Sequence, residues 1–230
     1  MSALLLGSIS TVADTSELQR QAFNQAFAEH GLDWRWDTSD YRAMLATSGG
    51  QSRIASYARS RGQDVDAQAI HETKSKIFRD SLATAGLAPR PGVTDAIRDA
   101  KAAGWKVGFV TTTARGNVTA LLEALSPQVQ AGDFDVITDV SDVGDPKPDP
   151  AVYRLALRNL GETAGDCIAV EDNVGGVQAA VAAGVPCAAF PNQNTSQHDF
   201  SAAAGVVSQL DLADLRRVAR AQRTAQRETA

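Results

Sequence analysis

The sequence predicts an α/β protein: a doubly wound parallel sheet interrupted after its first strand by an all-helical insert. Three observations carry that reading. From about residue 87 onward, short apolar runs alternate with helical spacing, the pattern of parallel strands joined by crossover helices. Between Thr15 and about Ala85 such runs vanish, and apolar residues recur every three or four positions. With 230 residues and 43% hydrophobic content, the chain can bury a substantial core and still carry an insert. The predicted division is a core formed by residues 1–14 and 87–215, a helical insert over 15–86, and a polar C-terminal helix or tail over 216–230.

Leu4-Leu5-Leu6 opens the chain as a short buried strand. Leu18, Ala22, Phe23, Ala26 and Phe27 then mark an amphipathic helix that Gly31 ends. Trp34 and Trp36 fall in a connection, and further helices fit Tyr41 to Ala46, Ile54 to Arg61 and Ala67 to Ala85. After Pro89-Arg-Pro91-Gly92 the alternation begins. A helix over Val93 to Ala103, stopped by Gly104, precedes a strand over Lys106 to Val110. A helix over Gly116 to Leu125 and a strand over Phe134 to Thr138 follow. The next helix runs from Asp149 or Pro150 to Leu160, with proline in the first turn. Cys167 to Val170 is a strand, Val174 to Ala183 a helix that Gly184 stops, and Val185 to Phe190 and Gly205 to Val207 the last strands. Leu212 to Arg227 reads as an amphipathic helix fading into a solvated tail.

Twenty-seven acidic side chains stand against 22 basic ones, a net charge of -5, which argues against general nucleic-acid binding. The two cysteines, Cys167 and Cys187, lie in apolar stretches and fit buried thiols in a reducing cytoplasm. No signal segment and no membrane-length apolar run is read, so a soluble cytoplasmic protein is expected. Asn117-Val-Thr119 and Asn194-Thr-Ser196 are treated as chance matches to the glycosylation pattern.

Ligands of doubly wound sheets bind beyond the carboxyl ends of the strands. Four such ends are legible: Gly7-Ser-Ile9-Ser10-Thr11, Thr111-Thr112-Thr113, the Gly144-Asp-Pro-Lys147-Pro-Asp149 segment, and Glu171-Asp172-Asn173. Hydroxyls with a fixed ammonium suit a phosphate, and paired acids suit Mg²⁺, which prefers oxygen ligands. Taken singly, each has a plainer explanation. The threonines could cap a strand end, Lys147 could be a surface lysine, and the acids could open a helix. Four strand ends in the right order outweigh those separate explanations.

VEDNVGGVQAAVAAGVP, GDPKPDPAVY, KVGFVTTT and PRPGVTDAIRDAKAAGWKVGF together resemble the motifs of the haloacid dehalogenase (HAD) superfamily, in its sugar-phosphate phosphatase and phosphoglucomutase-like branch. The helical insert resembles that family's cap domain. AFNQAFAEHGLDWRWD and TSGGQSRI are most similar to CbbY-type phosphatases, known for acting on sugar bisphosphates such as xylulose 1,5-bisphosphate. The likeness runs to about Leu210.

The resemblance also implies a loss. The family's first motif is a strand followed by Asp-x-Asp-Gly-Thr-Leu/Val; here it reads Gly7-Ser8-Ile9-Ser10-Thr11-Val12. The nucleophilic aspartate corresponds to Gly7 and the general acid to Ile9. Glycine cannot attack phosphorus or ligate a metal, and isoleucine has no proton to exchange. In the cap, the usual Thr-Gly-Gly-Lys-Glu-Arg reads Ser48-Gly49-Gly50-Gln51-Ser52-Arg53, and a usual histidine is Gln19.

The reading implied is a phosphatase-like protein without aspartyl-phosphate catalysis that keeps a phosphate pocket. Thr111, Thr112 and Lys147 would bind the phosphate, Glu17 and Arg53 would read the ligand from the cap, and Glu171 with Asp172 would hold Mg²⁺ weakly or not at all. The expected partner is a small phosphorylated ligand such as a sugar phosphate, with no nucleic acid and no membrane; a protein partner is compatible with a regulatory role. Two alternatives stay open. One is a hydrolase with a displaced nucleophile (Asp14, Ser8, Ser10 or a metal-bound water), although Ser8 is expected to point away from the face used by positions 7 and 9. The other is an interaction protein that uses Trp34, Trp36 and Tyr41 as anchors.

Overall fold

The computed structural model describes residues 1–45 and 49–228, with side chains through residue 222. Six parallel strands form one sheet: β1 (Ala3–Leu6), β2 (Lys106–Val110), β3 (Val136–Thr138), β4 (Cys167–Glu171), β5 (Cys187–Ala189) and β6 (Gly205–Val206). Their order is β3-β2-β1-β4-β5-β6, so the first strand of the chain lies at the centre. Leu4 pairs with Val107 on one side and Ile168 on the other. Strands buried on both faces read as continuous apolar runs, which is why Leu4-Leu5-Leu6 was legible.

Strand alternation divides the core in two. Leu4 and Leu6 join one apolar cluster, with Val107, Phe109, Ile168 and Val170. Ala3 and Leu5 join the other, with Val152, Tyr153, Leu157 and Val177. The second face is covered by α8 (Ala151–Leu160) and α9 (Val174–Ala182). The first is covered by α6 (Val93–Ala102) and α10 (Leu212–Glu228). α10 continues as regular helix to Glu228, and its Leu215 and Ala219 are fully buried against the sheet, so the helix belongs to the core layer through Ala219. The tail expected to end at 230 extends two residues past those described.

The insert holds α2 (Ser16–Glu29), α3 (Thr38–Met44), α4 (Gly50–Ser60) and α5 (Ala67–Leu82). α3 begins three residues earlier than its apolar pattern suggests, because the Asp37 carboxylate accepts from the Asp40 amide and caps it there. Ala46, expected at its end, and Ser48 lie outside the described residues. Between α2, α3 and α4, Phe23, Phe27, Trp34, Trp36, Tyr41 and Tyr57 form one aromatic cluster with centroids 4.7–6.3 Å apart. Trp34, Trp36 and Tyr41 are at most 4% exposed. They are the core of the insert, the commoner role for such aromatics, which leaves them no part as interaction anchors. α7 (Arg115–Leu125) packs against α5 and joins insert to sheet. Asn117 and Asn194 are buried, which removes both glycosylation matches. Among the described residues no helix is long and apolar enough to cross a membrane.

Candidate functional site

A cavity of about 610 Å³ lies between the carboxyl ends of the strands and the helical insert. Its floor is supplied by the loops after β1, β2 and β4, as the sheet topology requires. Gly7, Ser8, Ile9, Ser10, Thr111, Thr112, Lys147 and Asp172 all line it, and Arg53 faces them from the insert.

The loop after β1 turns at once into a short helix, α1 (Ile9–Val12), that alternation did not foresee. Ser8 is its N-cap and accepts from the Thr11 amide at 3.1 Å. Strand geometry ends at Leu6, so the two-residue period no longer fixes where Ser8 points. Its hydroxyl donates to Asp172 Oδ1 at 2.5 Å, inside the cavity, which corrects the expected outward orientation. Ile9 is 5% exposed and packs with Leu6, Val12 and Ala13 in the first core cluster. The Ser10 hydroxyl bonds to that of Thr15 at 2.9 Å. Asp14 accepts from the Ser16 amide and hydroxyl at 3.1 and 2.7 Å, the work of a helix-entry residue rather than a nucleophile.

Glu171 makes the most consequential arrangement. A Cβ built on Gly7 would overlap its carboxyl group and lie 2.6 Å from the Tyr153 hydroxyl; a Cβ on Gly176 would overlap the same carboxyl from the other side. The side chain therefore turns inward, fully buried, into room that two glycines leave open. Its Oε1 accepts from Lys147 Nζ at 2.6 Å and Tyr153 Oη at 2.7 Å, while Oε2 has no partner among the described residues. Burial raises the Glu171 pKa against the opposing pull of Lys147. Burial likewise pushes the Tyr153 phenol well up, with the Glu171 charge adding to it.

Lys147 also donates to the Gly7 and Val110 carbonyl oxygens, so all three of its N–H groups are directed onto its own chain. Thr111 Oγ1 accepts from the Thr113 amide at 3.1 Å, and among the described residues its hydroxyl hydrogen has no acceptor. Thr112 is half-buried, and among the described residues its hydroxyl has no partner.

The donors present do not fit Mg²⁺. Asp172 Oδ1 takes Ser8 and the Asn173 amide at 3.1 Å, and Oδ2 takes the Asn192 amide at 2.8 Å. Glu171 Oε1 is taken by Lys147 and Tyr153, its Oε2 is turned against Gly176, and Gly7 offers no oxygen on a side chain. Among the described residues no three His, Cys, Asp or Glu side chains are grouped for a metal ion, whereas Mg²⁺ demands close to octahedral oxygen geometry.

On the insert side, Arg53 lies over the rings of Tyr41 and Phe23 at 5.8 and 6.0 Å and donates to the Met44 carbonyl. Glu17 does not line the cavity. The Arg20 guanidinium grips its carboxylate and holds its pKa below the usual range, which corrects its expected place as a ligand-reading residue.

Three groups escaped the motif reading. Tyr153 sits on the buried face of α8. Asn192 and Thr195 come from the loop after β5, and Thr195 donates to the Asp172 carbonyl at 2.6 Å. Lys74 interrupts the apolar stripe Ile70, Ile77 and Phe78 of α5, a spacing that could have flagged it.

A family model described as haloacid dehalogenase-like hydrolase matches residues 7–184. Protein CbbY of Rhodobacter capsulatus is 38% identical over 206 residues, 88% of this chain and 91% of that one. Protein CbbY of Cereibacter sphaeroides is 39% identical over 204 residues, covering 87% and 89%. The crystal structure of CbbY from Rhodobacter sphaeroides in complex with phosphate superposes with a TM-score of 0.84 at 38% identity, over 91% of this chain and 94% of that chain. A mutant of the same protein in complex with xylulose-(1,5)-bisphosphate gives 0.85 over the same shares.

Proposed function

This chain belongs to the haloacid dehalogenase-like hydrolases and is CbbY-like within them, and from that premise we propose that it binds a small phosphorylated ligand, a sugar phosphate, without hydrolysing it through an aspartyl-phosphate. The carrying observation is the Glu171 carboxylate lodged where a side chain on residue 7 would stand. An attacking carboxylate has no room there, and Lys147 is already neutralised by an internal partner.

That arrangement alters the charge balance of the floor. With Gly7 and Ile9 where the family's first motif carries two acids, the floor holds less negative charge, so an anion can settle with less need for a cation. Thr111 and Thr112 would receive the phosphate, while Lys147, whose three N–H groups are held by its own chain and whose charge Glu171 offsets, would not donate to it. Arg53 would attract the ligand from the insert. The phosphate and xylulose-(1,5)-bisphosphate bound by the CbbY relatives support this ligand class.

Two measurements test the proposal. Inorganic phosphate and a panel of sugar phosphates should raise the melting temperature, and Thr112→Val should weaken the shift. Phosphate release with Mg²⁺ should stay at background for the wild-type chain. Rapid turnover, with contaminating phosphatases excluded, would overturn the proposal.

One observation favours a second reading. The Ser8 hydroxyl donates to Asp172, the pairing a serine nucleophile would need with its base. That reading requires wild-type turnover abolished by Ser8→Ala.

A further inference from the structure

Lys74 projects from α5 into the cavity wall yet is 4% exposed. Its Nζ lies 4.7 Å from the Phe23 ring centre and 5.0 Å from that of Phe78. Among the described residues its one hydrogen bond is to Gln19 Oε1 at 3.1 Å. Gln19 Nε2 in turn donates to Thr15 Oγ1, which meets Ser10 Oγ, so the chain leading away from the amine is neutral throughout. Among the described residues no carboxylate pairs with Lys74. The charged neighbour that acts on it is cationic, Arg53, and His71 stands one turn earlier on the same helix.

We propose that Lys74 is a reactive amine that forms an imine with a short aldehyde or ketone held in this cavity. The carbonyl compound is a phosphorylated one if the ligand class proposed above holds. The step balances without a further reactant. The Nζ lone pair adds to the carbonyl carbon, and one N–H proton passes to the carbonyl oxygen to give a carbinolamine. That hydroxyl then leaves with the second N–H proton as water, and the C=N bond remains.

Geometry and environment agree. Near-complete burial, the lack of a carboxylate partner among the described residues and a guanidinium that shares the Phe23 ring with the amine disfavour the ammonium form and outweigh the attraction of the two ring faces for a cation, a recognised way of activating a lysine toward carbonyls. Burial, with Arg53 adding to it, lowers the Lys74 pKa to about 7. At neutral pH that leaves roughly a thousandfold more free amine than an ordinary lysine offers. Lys76 on the same helix, 72% exposed and paired with Asp80, is the internal comparator.

The test is reductive trapping. The full chain is incubated at pH 7 with dihydroxyacetone phosphate and sodium cyanoborohydride, then mapped by peptide mass spectrometry. Lys74 should carry the adduct at least about tenfold faster than Lys76 or Lys101. Adducts spread evenly over the lysines, or absent from Lys74, would overturn the proposal. Mapping the wild-type chain needs no variant; Lys74→Arg, checked for folding by circular dichroism, should lose the adduct. Equal labelling by unphosphorylated dihydroxyacetone would uphold the amine and count against the phosphate pocket, which the thermal shift with inorganic phosphate reads separately.

Discussion

The Glu171 carboxylate occupies the space that any side chain on Gly7 would need. Gly7→Ala should therefore destabilise the fold by about 1–3 kcal/mol through overpacking. Gly7→Asp should cost more, since it crowds a second carboxylate against the first. Adding Glu171→Ala to Gly7→Asp should recover part of that loss. Urea titration of the three variants checks the order. A Gly7→Asp chain as stable as wild type would show that Glu171 moves aside freely.

Lys147 and Glu171 form a buried ion pair at 2.6 Å, with both side chains at most 7% exposed. Removing one partner strands the other. Lys147→Met should cost about 3–5 kcal/mol, and Lys147→Met with Glu171→Gln should recover much of it. A double-mutant cycle in urea gives the coupling, and additive losses would contradict the pairing.

Ser8 ties α1 to Asp172 and also caps it. Ser8→Ala should cost about 1 kcal/mol of stability. Under the binding proposal it leaves phosphate release at background, so one variant reads both the cap and the serine-nucleophile reading.

Lys74 should give stability a distinctive pH dependence. Its folded pKa is lowered to about 7 from 10.5, so between those values the unfolded chain binds more protons than the folded one. The contribution is present above pH 10.5 and is lost as pH falls toward 7. The expected slope is about 1.4 kcal/mol per pH unit between pH 8 and 10. Lys74→Met should flatten that limb and raise the melting temperature at pH 7. Parallel curves for wild type and variant would contradict it.

Much of this was legible from the sequence because parallel strands are apolar on both faces and their carboxyl ends carry the chemistry. Lys106 to Val110 was read to the residue, and Cys167 to Val170 missed only Glu171. Helix starts were less legible where a side chain sets them, as Asp37 does for α3. The position of Glu171 could not be read along the chain at all. It depends on a void shared by Gly7 and Gly176 and on a tyrosine from a third segment, which meet only once the sheet is assembled. The strand period does not reach Ser8, because β1 ends at Leu6 and Ser8 already caps α1.

β1 closes the sheet from the middle: it precedes both of its neighbours, which begin at Lys106 and Cys167. On the ribosome, Leu4 to Leu6 must wait unpaired while the helical insert and both flanking strands are made. Such distant pairing makes assembly slow, since loop-closure entropy comes before the contacts that offset it. Pulse-labelling hydrogen exchange during refolding should find the Leu4, Leu5 and Leu6 amides protected after those of α2 and α5, and simultaneous protection would argue against that sequence of events.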